Sequence, residues 1–200
     1  MRVALTIGVA GCLLALPALA HEQHREAGAH VHGHGSLGIA VEGRRVTMEL
    51  EVPGADVVGF EHEAKTAEQK KTVEKARTAL TKPLLLFKLP AGAKCRVVDN
   101  TVEMESGHDD HDHDKAHKPK DGKPVDAGHD HDEDAHHHSE VRATFTLECA
   151  APEQITRIEF DYFKTFPAAQ ELDVQIVTPK GQYQYDVSRD KPAIDLAGLI

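Results

Sequence analysis

The 200-residue chain has no tryptophan, only three cysteines and three methionines, and aromatic side chains at just 4% of its length. Beyond the first twenty residues only Met48 and Met104 remain, too few for a methionine-built cuprous site. No C-x-x-C pair occurs, which argues against a thiolate zinc module. Positive charge is also scarce. With 23 Lys and Arg against 33 Asp and Glu, the net charge of −10 disfavours nucleic acid or an anionic membrane surface and suits a cationic partner. There is no H-E-x-x-H helix, nucleophile elbow or phosphate-binding glycine loop, so the sequence does not call for an enzyme. After residue 20 no apolar run is long enough to cross a bilayer.

The first twenty residues carry Arg2, an apolar run and the small-x-small pattern Ala18-Leu19-Ala20 before His21. That pattern predicts a secretory signal peptide over residues 1–20, an exported periplasmic protein starting at His21, and no stable membrane insertion after cleavage. Val9-Ala10-Gly11-Cys12 is similar to a lipoprotein cleavage site and leaves lipidation at Cys12 as a minor alternative. Cys95 and Cys149 then meet an oxidising compartment and are expected to form a disulfide, the alternative being a pair of thiolate ligands.

Apolar periodicity predicts one β-rich α+β domain over residues 21–200, with a mostly antiparallel sheet and one main helix. Leu37 to Val41 and Val46 to Val52 read as two strands joined by a turn at Glu42-Gly43. Thr66 with Gln69 makes a capping box for a helix over Ala67 to Thr81. Leu84 to Leu89 reads as a short buried strand. The stretches Cys95 to Met104 and Glu140 to Cys149 read as antiparallel neighbours flanking a flexible insertion over residues 106–139. With the cysteines opposed, Met104 falls opposite Glu140, and the slip of the apolar pattern between Val97 and Val98 calls for a bulge there. Their bond is expected to pin the roots of the insertion. Strands follow over Ile155 to Phe160, Leu172 to Thr178 and Gln182 to Val187, the last two joined by a turn through Pro179-Lys180-Gly181, and Ala193 to Ile200 is helical or irregular.

What the sequence has in excess is histidine, fifteen in all, and it is segregated. Five lie near the start (His21, His24, His30, His32, His34) and nine in the insertion (His108, His111, His113, His117, His129, His131, His136, His137, His138), with His62 apart. His30, His32 and His34 recur with period two, so an extended segment presents all three imidazoles on one side, a ligand set suited to Zn2+. His62, just ahead of the helix, is a candidate fourth ligand, with Glu61 or Glu63 as a ligand or as the carboxylate that orients it. The insertion sets ten acidic residues against four lysines, and few apolar ones, among its histidines. It cannot bury a core and reads as a flexible multi-ligand scavenger of divalent transition metals, weaker and less selective than a preformed site. His-Asp tracts also take copper, nickel or cobalt, so a binding or resistance protein for those ions is the alternative to zinc.

Four stretches, HVHGHGSLGIAVEG, VPGADVVGFEHEAKTAEQ, the Cys95 and Cys149 pair around the His-Asp insertion, and FDYFKTFPAAQELDVQIVTPKGQ, resemble the ZrgA family of proteobacterial zinc-uptake proteins. The likeness spans essentially the whole chain after the leader. The resemblance implies a periplasmic protein that captures or buffers Zn2+, working with an ATP-driven (ABC-type) zinc importer or its binding protein. It also implies His30, His32, His34 and the Glu61-His62 pair as ligands.

Overall fold

The computed structural model describes residues 31–105 and 139–200, the side chain of Glu105 excepted. The expected signal peptide, Cys12, His30 and the insertion histidines lie outside the described residues.

β1 (His34–Glu42) and β2 (Arg45–Pro53) form the expected antiparallel hairpin, with Glu42 opposite Arg45. The two-residue turn is therefore Gly43-Arg44, one residue later than read from the sequence. Glycine fits there because φ at Gly43 is +57°. β5 (Glu140–Cys149) lies beside β2, and β4 (Cys95–Glu105) beside β5, while β7 (Glu171–Thr178) lies on the other side of β1 and β8 (Gly181–Ser188) at the far edge, in the order β4-β5-β2-β1-β7-β8. All these pairs are antiparallel except β1 with β7, which is parallel.

Alternation puts one set of apolar side chains on a single face. Ile176, Ile39, Met48 and Phe145 form a row across four strands, and each is buried. This face packs against α2 (Ala67–Leu80), whose Ala76 and Leu80 are buried, and against a small sheet of β3 (Phe87–Lys88), β6 (Arg157–Phe160) and β9 (Ala193–Asp195). The predicted capping box is present, with Thr66 Oγ1 accepting from Gln69 N and Gln69 Oε1 accepting from Thr66 N.

Two expectations fail here. Leu84 to Leu89 is not one strand: Pro83, whose fixed φ suits the first helical position, opens the one-turn helix α3 (Pro83–Leu86), and only Phe87 and Lys88 pair. The C-terminal stretch is neither helical nor wholly irregular, since Ala193–Asp195 adds β9 to the edge of β6.

The disulfide between Cys95 and Cys149 is formed, and the two cysteines face each other in the β4–β5 ladder. A register shift between Val97 and Asp99 turns Val98 outward, as the slip in the apolar pattern predicts. Because of that bulge Met104 falls opposite Val141 and Glu105 opposite Glu140. The bond sits at the end of the hairpin remote from the insertion, so it does not pin the insertion's roots. That task falls to the Glu105–Glu140 pair and to Ser139, which is buried and whose carbonyl accepts from Gly54 N at 2.8 Å. Ser139 is thus part of the framework and not of the loop.

Candidate metal centre

The chain enters the sheet through a tight turn, not through an extended segment. His34 N donates to Val31 O at 3.0 Å, and Gly33 takes φ +86°, a conformation that favours glycine. The strand begins only at His34, so the period-two geometry expected for His30, His32 and His34 does not hold through Gly33.

The turn is clamped from both sides. Gly33 N donates to Asp56 Oδ1 at 2.8 Å, and Gly33 O accepts from Gln170 N at 2.8 Å and Glu171 N at 2.9 Å. Asp56 lies on α1 (Gly54–Val58), a helix of five residues that follows β2 directly. A Cβ on Gly54 would come within 2.0 Å of Ser139 Oγ, so glycine is what lets α1 start against Ser139 at the foot of β5.

On this clamp the imidazoles meet carboxylates. His32 Nε2 is 2.8 Å from Glu61 Oε1, and His34 Nδ1 is 3.8 Å from Glu171 Oε2, across the parallel β1–β7 pair. Both histidine side chains are more than half exposed, whereas Asp56 is only 3% exposed. Burial pushes the Asp56 carboxyl above the ordinary aspartate range. The Gly33 N–H and the neighbouring His32 and His34 pull it back, and Glu61 raises it further. Asp56 Oδ2 is buried without a hydrogen-bond partner.

His62 is held apart from this group. Its ring stacks on Phe60 at 5.0 Å, Nδ1 is 2.9 Å from Glu63 O, and Nε2 is 3.5 Å from Gln69 Nε2. The capping box fixes which way the Gln69 amide points, so Nε2 accepts from Gln69 and Nδ1 donates to the Glu63 carbonyl. His62 lines a cavity of about 210 Å³ with Val58, Phe60, Val73, Met104 and Ser139. Glu63 thus contributes its backbone carbonyl to His62, and it is Glu61 that reaches a neighbouring imidazole.

Sequence reasoning missed Asp56 and the acidic group on β7 and β8. Asp56 stands alone among apolar neighbours in Gly54-Ala-Asp-Val-Val58, and an acid in such a run was the available signal. Glu171, Asp173 and Asp186 form, among the described residues, the one trio whose possible ligand atoms all lie within 4.8 Å of one another. Glu171 connects that trio to His34. His32, His34 and Glu61 are not gathered as closely as that trio.

Two imidazoles paired with carboxylates on a backbone turn clamped from both sides define a β-rich domain with a candidate divalent-metal site. A family model described as ZrgA family zinc uptake protein matches residues 29–196, and the chain belongs to that family. The description is of zinc uptake and not of an enzymatic activity. No curated protein matches the chain. Among the described residues no helix is long and apolar enough to cross a membrane.

Proposed function

We propose that this is a periplasmic protein, exported by its leader, that captures or buffers Zn2+ and hands it to an ABC-type importer or that importer's binding protein. His32, His34 and Glu61 form the structured acceptor. Asp56 sits beneath them and holds the turn that carries both histidines. His30, His62 and the insertion histidines His108, His111, His113, His117, His129, His131, His136, His137 and His138 supply further ligands, some to the structured site and most to a weaker scavenging pool. Membership of a zinc-uptake family supports the choice of metal, and the disulfide suits an oxidising compartment.

The observation that carries the reading is the clamp on Gly33. Its N–H is fixed by Asp56 and its carbonyl by Gln170 and Glu171, so the backbone between two imidazoles is set before any ion arrives. Such preorganisation lowers the ordering cost of binding, which an unstructured histidine tract meets in full on each capture.

Competitive zinc titration of the oxidised protein tests it, beside a variant with His32 and His34 changed to alanine and one with residues 107–138 replaced by Asn-Gly. The shortened protein is expected to keep one tight zinc and the histidine variant to lose it. Tight binding that disappears only with the insertion would overturn the structured-site reading. Affinity should also fall in mildly acidic solution, because protons compete with metal for imidazole nitrogen. Equal affinity at pH 5.5 and 7.5 would contradict imidazole ligation.

A further inference from the structure

The six-stranded sheet ends in β4 on one side and β8 on the other, and the two edges differ. β4 is interrupted by the bulge at Val98, carries Arg96 and Glu103, and its Val102 carbonyl accepts from Arg77 Nη1 of α2 at 3.3 Å. Bulges, charged side chains and a covering element are the usual means of keeping an edge strand from pairing with another chain. β8 has neither bulge nor guard. Its residues, Gly-Gln-Tyr-Gln-Tyr-Asp-Val-Ser, pair with β7 without a register shift, and they include no lysine, arginine or proline.

The register shows which backbone groups this edge leaves open. Arg189 N donates to Gln170 O at 3.0 Å, one step beyond the Glu171–Ser188 pair, and hydrogen-bonded pairs in an antiparallel ladder recur at every second residue. Val187, Tyr185, Tyr183 and Gly181 therefore bond to β7, while the N–H and C=O groups of Ser188, Asp186, Gln184 and Gln182 point away from the sheet. Lys191 N donates to Ser188 O at 3.0 Å, in keeping with that alternation. Gln182, Gln184 and Asp186 are exposed, and among the described residues their outward backbone groups have no backbone partner.

Such an edge takes another extended strand, and the side chains around it say which kind. On the open face of the sheet Asp186 lies directly opposite Asp173, with Glu171 beside them, and neither aspartate makes an ion pair among the described residues. On the core side Tyr183 and Tyr185 are half-buried. A strand added here sets alternate side chains beside Gln182, Gln184 and Asp186, where Lys or Arg fits, and the others beside the two tyrosines, where apolar groups fit. A second copy fits less well, because it brings the same carboxylates and another net charge of −10 to the edge.

We propose that β8 is a docking edge for a partner protein, which adds an extended strand with basic side chains on the Asp186 face and apolar ones on the tyrosine face. The unpaired backbone groups give the attachment and the carboxylates select the charge. Pairing of this kind needs no metal, so the inference stands apart from the zinc-acceptor reading.

The test uses the full-length oxidised protein, treated with chelator, and two synthetic peptides, acetyl-Lys-Val-Lys-Val-Lys-Val-Lys-amide and its glutamate counterpart. The lysine peptide is expected to bind and the glutamate peptide not to. By mass action, with the lysine peptide at about ten times its Kd, amide hydrogen exchange at Gln182, Gln184 and Asp186 should slow by about 10-fold. Gln184→Pro removes the central outward N–H without removing a bond to β7, so it should melt near the parent and lose the peptide. Gln184→Lys keeps the backbone intact and repels the basic strand, so it decides the matter if the proline variant does not fold. Equal binding of both peptides, no binding of either, binding retained in the folded variants, or binding that leaves those three amides exchanging as before would each overturn the proposal. So would a parent that sediments as a dimer and becomes monomeric on Gln184→Pro or Gln184→Lys, since the edge then serves a second copy.

Discussion

Replacing Cys95 and Cys149 by alanine removes a link across 54 residues of chain, and the fold shows where its effect must come from. In the folded protein the bond spans strands already paired along the whole β4–β5 ladder, so it adds little that the ladder does not supply. Its stabilisation must then act mainly on the unfolded chain. The chain-entropy relation gives about 4 kcal/mol for a closed loop of that length, an upper figure because residual structure reduces it. At roughly 2–4 °C per kcal/mol for a domain of this size, the melting temperature should fall by about 10 °C. The insertion makes the reasoning sharper. With residues 107–138 replaced by Asn-Gly the bridged loop shrinks to about 24 residues, and the same relation lowers the contribution of the bond by about 0.7 kcal/mol. Urea unfolding of the four proteins, with and without the cysteines and with and without the insertion, measures both numbers. A disulfide worth the same or more in the shortened protein would refute the entropic account and point to contacts made by the bond itself.

Other expectations follow from particular atoms. Burial raises the Asp56 carboxyl in the folded state, so its contribution to metal-free stability is full below the unfolded aspartate pKa of about 3.9 and is lost as pH rises through the higher folded value. Asp56→Asn keeps an oxygen for Gly33 N, and metal-free unfolding measured between pH 3 and 7 should show it losing less stability with rising pH than the parent; identical profiles would contradict the burial argument. Gly54→Ala forces a Cβ against Ser139 Oγ and should lower stability by about 1–3 kcal/mol and weaken zinc binding through displaced α1; unchanged thermal and zinc titrations would show that the contact yields freely. Phe145→Ala, beneath Phe87 at 6.3 Å, should cost about 3–5 kcal/mol in denaturant unfolding, and a loss under 1 kcal/mol would mean that this row is not the centre of the core.

Much of the candidate site was legible as composition but not as geometry. His32 and His34 stood out by their spacing of two and Glu61 by adjoining His62, yet the alternation of His30, His32 and His34 is broken by Gly33, whose positive φ makes a turn. His62 was equally conspicuous, and its ring is turned to Gln69 and Glu63 by a capping box that serves the helix. Asp56 was inconspicuous because a lone acid in an apolar run acquires meaning only once it is buried against the Gly33 turn.

Local physics decided what the sequence alone determines here: the β1–β2 hairpin, the capped helix, the bulge at Val98 and the pairing of the cysteines all rest on periodicity, turn chemistry or a short-range clash between patterns. The parallel pairing of β1 with β7 could not be read that way, because nothing within a strand specifies a neighbour more than a hundred residues away. That pairing sets Glu171 beside His34 and lets Gln170 and Glu171 hold the Gly33 carbonyl, while the β2–α1 junction brings Asp56 up from the other side. Residue types supplied the ligands; long-range burial, acting through the shared apolar face of the sheet, decided which of them meet.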